Sequence, residues 1–211
     1  MLPHAGEDTR VFRQVCELGS VLKDLSAAGM QGSTLERSDT AILFSAESEW
    51  ATRSETLPSM KLSHWHDVRD WYRAFLDAGQ RADVVPLKYD WSAYSVVVLP
   101  SVLMLSAADT QRLADFTAAG GQVVIGYATG LIDEHFHTWL GGYPGAGNGL
   151  LRKMLGIRGE EFNILGCEAE GEPCEIELGG GMDGAVTRLW QNDVNVEGPD
   201  TEVLATYSGK S

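Results

Sequence analysis

The sequence predicts an α/β protein: a three-layer sandwich on a mostly parallel sheet, with antiparallel strands added near the C-terminus. Three observations point there. Short runs rich in apolar residues, AILF (41–44), ADVVPL (82–87), SVVVLP (95–100) and QVVIGY (122–127), read as strands, and the all-apolar AILF has the texture of one buried on both faces. Between them lie segments whose apolar residues recur at three- and four-residue steps, as on a helix. Toward the end, CEIEL (174–178), AVTRLW (185–190) and EVLATY (202–207) alternate in the strand manner between Gly, Asn and Asp turns. Single helices between strands imply parallel pairing through right-handed crossovers. The order β-α-β, loop, β-α-β is flavodoxin-like.

The first element is a helix over about 8–27. Asp8 or Thr9 can cap it, because a short side-chain oxygen bonds the free amides of a first turn. Val11, Phe12, Val15, Leu18, Leu22 and Leu25 form one apolar stripe, Cys16 is expected to be a buried thiol, and Gly29 terminates the helix. A stripe this large is expected to be covered: by the α/β body, by a second copy, or by exchange between chains. Residues 30–39 are a polar linker. After the strand 41–44, residues 45–62 are expected as loop. The next helix starts near Ser63, carries Trp65, Val68, Trp71, Tyr72, Phe75 and Leu76, and ends at Gly79. Ser106 and Asp109 form a capping pair before a helix with Leu113, Phe116 and Thr117 inward. A long loop (129–148), a short helix (150–156) and a strand (160–165) follow the fourth parallel strand. Both ends read as cut from a longer chain.

Composition narrows the function. The 211 residues are 44% apolar and 22% charged, an ordinary globular mixture. The net charge of −14 repels phosphate backbones, so neither nucleic acid nor an anionic membrane is expected as partner. The longest apolar stretch (96–105) is broken by Pro100 and Ser101 and is too short to span a bilayer. No signal peptide is legible, and the chain reads as cytoplasmic. Cys16, Cys167 and Cys174 are too scattered for a disulfide framework, although Cys167 and Cys174 could face each other across a turn.

Open α/β sheets place their sites in the loops that follow the strands, so candidate chemistry is expected there. The loop after the first strand has no glycine and carries Glu47, Glu49 and Glu55, so it would repel a phosphate instead of cradling it. Ser101 follows a proline without the flanking glycines of a nucleophile elbow. Two H-x-H pairs, His64/His66 and His135/His137, could chelate zinc if each lay on one strand face, but the first pair opens a helix, where such positions diverge. They are expected as surface or interface histidines. The neighbouring carboxylates Glu47/Glu49, Asp133/Glu134 and Glu160/Glu161 do not supply the facing pair that glycoside hydrolysis needs. No catalytic residue, cofactor or metal is therefore assigned. Trp50, Trp65, Trp91, Trp139 and Tyr143 cluster in or beside the loops at the sheet ends. They belong either to folded-over core or to an interaction surface.

Several stretches resemble a known family. MLPHAGEDTRVFRQVCELG, AILF with its ES-W loop, HWHDVRDWYRAFLDAGQRADVVP, YDWSAYSVVVLPSVLMLS, FTAAGGQVVIGYATGLIDEHFHTWLGGYPG and MLGIRGEEF occur in order. They look like the middle domain of glycoside hydrolase family 42 β-galactosidases, with the ES-W loop and the HWHDVRDWYRAF helix similar to bifidobacterial members. The resemblance implies a trimerisation domain of class I glutamine amidotransferase-like fold that lacks the glutaminase nucleophile. Residues 1–38 would be the end of the catalytic barrel region, 39–200 the trimerisation domain, and 201–211 the start of the link to a β domain. The parent would hydrolyse terminal β-D-galactosides with retention, as a homotrimer packed with its own barrel. Alternatives are a stand-alone hydrolase of glutaminase-like fold and a carbohydrate-binding module. For the subunit interface, loops 45–60 and 129–147 are expected, with Trp50, Trp139 and Tyr143 as anchors and His135, His137, Asp133 and Glu134 as polar neighbours. Arg53, Lys61 or Arg69 would have to meet Glu47, Glu49, Asp133 or Glu134 across that boundary.

Overall fold

A computed structural model describes residues 9–165, 176–180 and 184–207. The chain divides into two compact units, Met1–Arg37 and Ser38–Ser211. In the first, helix α1 (Arg10–Leu25) starts at Thr9, whose hydroxyl accepts the Phe12 amide at 3.2 Å. A π-type turn, Ser26–Met30, follows, and Gly29 at φ 92° breaks the helical path. No residue of α1 is buried. Val15 and Leu18 are 59% and 57% exposed, and Cys16 is exposed instead of buried. Within this unit the apolar stripe is uncovered, and only the expected burial of Cys16 is corrected. One helix cannot bury its own apolar face, and among its described residues this unit holds no other strand or helix beyond that turn.

The second unit runs β1 (Thr40–Phe44), α2 (Ala46–Thr52), α3 (His64–Asp77), β2 (Asp83–Pro86), β3 (Val96–Leu99), α4 (Ala107–Ala118), β4 (Gln122–Ile125), α5 (Leu150–Leu155) and β5 (Ile157–Ile164). Then come β6 (Ile176–Gly180), β7 (Val186–Thr187), β8 (Trp190–Val196) and β9 (Ala205–Tyr207). The first four strands form one sheet in the order β2-β1-β3-β4, with every pair parallel. Side chains alternate across it. Ile42 and Val98 pack with Val68, Trp71 and Phe75 of α3. Ala41, Leu43, Val97 and Leu99 point the other way, to Leu113 and Phe116 of α4 and Leu151 of α5. Helices thus cover both faces of the central strands β1 and β3, which is why these read as unbroken apolar runs, whereas the edge strands β2 and β4 are alternately exposed.

The C-terminal strands are antiparallel. β5 pairs with β8, with a bulge between Gly159 and Glu161, and β6 pairs with β7 and β9. A third apolar cluster joins Ala51, Leu62, Leu103, Ala128 and Ile132 to Trp190 beyond the ends of the parallel strands.

Three expectations are corrected. Residues 45–62 are not all loop, because Ser45 caps α2, accepting the Ser48 amide at 3.0 Å, and Glu47 and Glu49 sit in the favourable first turn. Residues 185–190 are not one strand: β7 ends at Thr187 and β8 begins at Trp190. Thr117 is exposed, and its hydroxyl donates back to the Leu113 carbonyl at 2.6 Å within α4. The Cys167–Cys174 pairing lies outside the described residues.

Candidate functional site

In this strand order the topological switch point lies between β1 and β3, and an open α/β sheet would bind a ligand beyond their carboxyl ends. Here that point is filled. Ser45 follows β1, Ser101 follows β3, and the first turn of α3 inserts His64 between them. His64 is 0% exposed, Ser45 2% and Ser101 3%. His64 Nε2 accepts the Ser45 backbone N–H at 2.9 Å, so the ring proton belongs on Nδ1, which lies 3.5 Å from Ser101 Oγ. The ring stacks on Phe44, with centroids 5.3 Å apart. Burial drives the His64 pKa down to about 4, against a smaller upward pull from Glu49.

One turn further along α3, Asp67 completes the cluster. Both the Ser101 hydroxyl and the Tyr127 phenol donate to the same carboxylate oxygen, Tyr127 at 2.7 Å. Burial raises the Asp67 pKa while these two donors oppose the rise, and burial together with Asp67 pushes the Tyr127 phenol up. Asp67 and Tyr127 also line an open groove of about 1270 Å³ whose other walls include Trp190, Asn192 and Tyr207. Gly126, just before Tyr127, passes so close to the Pro100 carbonyl that no Cβ fits. That close approach brings the ends of β3 and β4 together.

Serine, histidine and aspartate are therefore adjacent, but not as a nucleophilic triad. A serine nucleophile gives its proton to a histidine that a carboxylate orients from the other side. Here Ser101 donates to Asp67, His64 Nε2 is occupied by a backbone amide, and Ser101 is enclosed. The cluster ties four chain segments together. Sequence reading missed it by treating His64 as a surface histidine paired with His66. The legible signal was the spacing of His64 and Asp67, three apart on one face of a helix.

The expected interface residues are arranged in two groups. Trp50 on α2 is 70% exposed. His135, Glu134 and His137 are exposed at the tip of the 129–148 loop, and half-buried Asp133 folds that tip by accepting the amides of His135 and His137 at 2.9 and 2.8 Å. Those amide bonds, led by His137, lower the Asp133 pKa. Trp139 and Tyr143 are half-buried. Trp139 packs against the α4-side core and donates its indole N–H to the Leu105 carbonyl at 3.3 Å. Tyr143, cis to Pro144, exchanges backbone hydrogen bonds of 2.8 and 2.7 Å with Gly159 on β5, and burial raises its phenol pKa. Arg53 pairs with Glu49 at 2.8 Å, and Arg69 with Asp70 at 2.9 Å. Glu49 also accepts the Trp65 amide at 2.8 Å. Among the described residues no three His, Cys, Asp or Glu side chains are grouped to hold a metal ion, and no helix is long and apolar enough to cross a membrane.

Residues 38–211 match the family model of the β-galactosidase trimerisation domain. The chain belongs to this family. The chain is 40% identical over 210 residues to β-galactosidase BbgII of Bifidobacterium bifidum, covering 100% of this chain and 30% of that protein. It is 76% identical to a solved β-galactosidase chain from Bifidobacterium adolescentis, with a TM-score of 0.60 over 83% of this chain and 80% of that one. A β-galactosidase structure from Rahnella sp. R3 superposes with a TM-score of 0.76 at 32% identity, covering 99% of this chain and 30% of the other. The chain thus spans about 30% of the length of the BbgII relative. Neither the stand-alone hydrolase nor the carbohydrate-binding module finds support in these likenesses.

Proposed function

We propose that this trimerisation domain holds a larger β-galactosidase together as a homotrimer, without itself taking part in catalysis. The observation that carries this reading is the match of residues 38–211 to the trimerisation-domain family. The parent enzyme hydrolyses terminal β-D-galactosides with retention and packs this domain against its own catalytic barrel, in the cytoplasm. Residues 1–38 end the barrel region, 39–200 form the trimerisation domain, and 201–211 lead toward a β domain. The exposed stripe of α1 accords with this, since a helix that ends a barrel region has its cover in that barrel. The strand order β2-β1-β3-β4 supports a flavodoxin-like, class I glutamine amidotransferase-like fold. A plugged switch point is what a non-catalytic member of such a fold needs.

The assembly face comprises segments 45–60 and 129–147. A closed three-fold ring joins two different patches head to tail. Trp50 is the anchor, because an exposed indole buries a large area with few rotamers to freeze. His135, His137 and Glu134 are its polar neighbours, folded by Asp133, while Trp139 and Tyr143 hold the second segment in shape. The test is Trp50→Ala and Trp139→Ala in the parent enzyme, followed by light scattering at nanomolar protein. A shift of Trp50→Ala to lower mass is expected. Trimers that persist in both variants place the interface on another face.

A further inference from the structure

The cluster at the switch point contains a histidine whose bonding tolerates only one protonation state. We propose that His64 is an acid-released clasp, holding the start of α2 to the start of α3 while its ring is neutral and letting go when Nε2 is protonated. The argument is geometric. Nε2 accepts the Ser45 N–H at 2.9 Å, and a protonated Nε2 is itself a donor, so two donors would face each other. Ser45 also caps α2 through its side chain. Losing the amide bond therefore loosens the cap residue of the helix that carries Trp50, while Glu49 still accepts the Trp65 amide and Ser48 the Met104 amide. Ser45, His64 and Ser101 are almost fully enclosed, so no solvent replaces the lost acceptor without opening.

The surrounding charges fix where the release falls. From α2, Glu49 faces His64, and Glu47 lies 3.4 Å from the Ser45 hydroxyl. From α3 itself come Asp67, His66 and Asp70. From the ends of β3 and β4 come Ser101 and Tyr127, both donating to Asp67. Burial outweighs the attraction of Glu49, so the folded ring stays neutral down to about pH 4. Burial raises the Asp67 pKa, so its carboxyl holds a proton more readily in the folded state, and its groove-side position gives protons a route to the cluster.

The effect on assembly rests on the trimerisation reading above, whereas the clasp itself does not. The experiment is amide hydrogen exchange on the full chain at pH 7 and at about pH 4, corrected for intrinsic rates, with the Ser45 and Val98 amides followed by NMR. Ser45 protection is expected to fall about tenfold or more between the two, with Val98 changing less than about threefold. His64→Gln supplies an acceptor that does not titrate, and Ser45 protection in it is expected to stay within about threefold. Ser45 protection that survives acid in the wild type, or falls equally in H64Q, overturns the proposal. Should H64Q not fold, the wild-type imidazole ¹⁵N shift decides. Loss of the acceptor state together with Ser45 protection supports the clasp, and titration that leaves the Ser45 amide untouched overturns it. A parent enzyme that is monomeric at every pH overturns the assembly reading and leaves the Ser45 result standing.

Discussion

His64 is kept neutral by its surroundings, and this has a thermodynamic sign. Its folded pKa of about 4 lies below the unfolded value of 6.5. The unfolded chain therefore binds the proton first, and stability is lost as pH falls from about 6.5 toward 4. The full loss is about 3 kcal/mol for this ring. Asp67 acts the other way. Its folded pKa is raised, so the folded state takes up that proton first and recovers part of the loss as pH falls. Urea midpoints at pH 7 and 4.5 should accordingly drop further in the wild type than in H64Q, and equal drops would contradict the assignment. A second residue-scale test is Gly126→Ala. Its Cβ would overlap the Pro100 carbonyl, and backbone cannot yield as a side chain can. A destabilisation of at least about 2 kcal/mol is expected by chemical denaturation. Some residues declared their roles in sequence. Ser106 caps α4, accepting the Asp109 amide at 3.1 Å, as the S-x-x-D spacing implied. His64 did not, because burial of a polar ring is decided by Ser45 and Ser101, neighbours far away in the chain.

At the scale of elements, local signals explain what was readable. The central strands β1 and β3 were legible because both faces are buried, the edge strands β2 and β4 as short apolar runs although Val84 and Val124 stay exposed, and α3 and α4 because serine caps precede periodic apolar runs. α2 was hidden by its polarity: its buried residues are Ser48, Ala51 and Thr52, none of which marks an apolar stripe. β8 was hidden for a related reason. Past Asn192 its residues are exposed, and only pairing with β5 makes NDVNV a strand. Two outcomes follow for the helices. Ser106→Ala removes the α4 cap and a 2.5 Å bond to the buried Asp109 carboxylate. It should cost about 1 to 2 kcal/mol in thermal or urea unfolding. Replacing Val15 and Leu18 of α1 with lysine should change the unfolding of residues 38–211 by no more than about 0.5 kcal/mol, since neither side chain is buried. A larger change would mean that the stripe is covered within this chain.

For the whole molecule, charge and chemistry set the expectations. Each copy carries −14, and Arg53 and Arg69 are already engaged by Glu49 and Asp70 of their own chain. Repulsion between copies then dominates the electrostatics of association. Raising salt from low to physiological levels should tighten self-association, as measured by sedimentation, because screening weakens like-charge repulsion. Weakening would instead reveal ion pairs between copies. The chain itself is expected to hydrolyse no chromogenic β-galactoside; turnover that disappears when one of its own glutamates is changed would refute this. The cluster around Trp190 adds a consequence measured in time. Ala51, Leu62, Leu103 and Ile132 are made well before the indole that covers them. On a ribosome adding roughly 5–20 residues per second, that apolar surface waits several seconds for its lid. During that interval the emerging polypeptide is a natural client for a chaperone, and a chain truncated just before Trp190 should be degraded or aggregate.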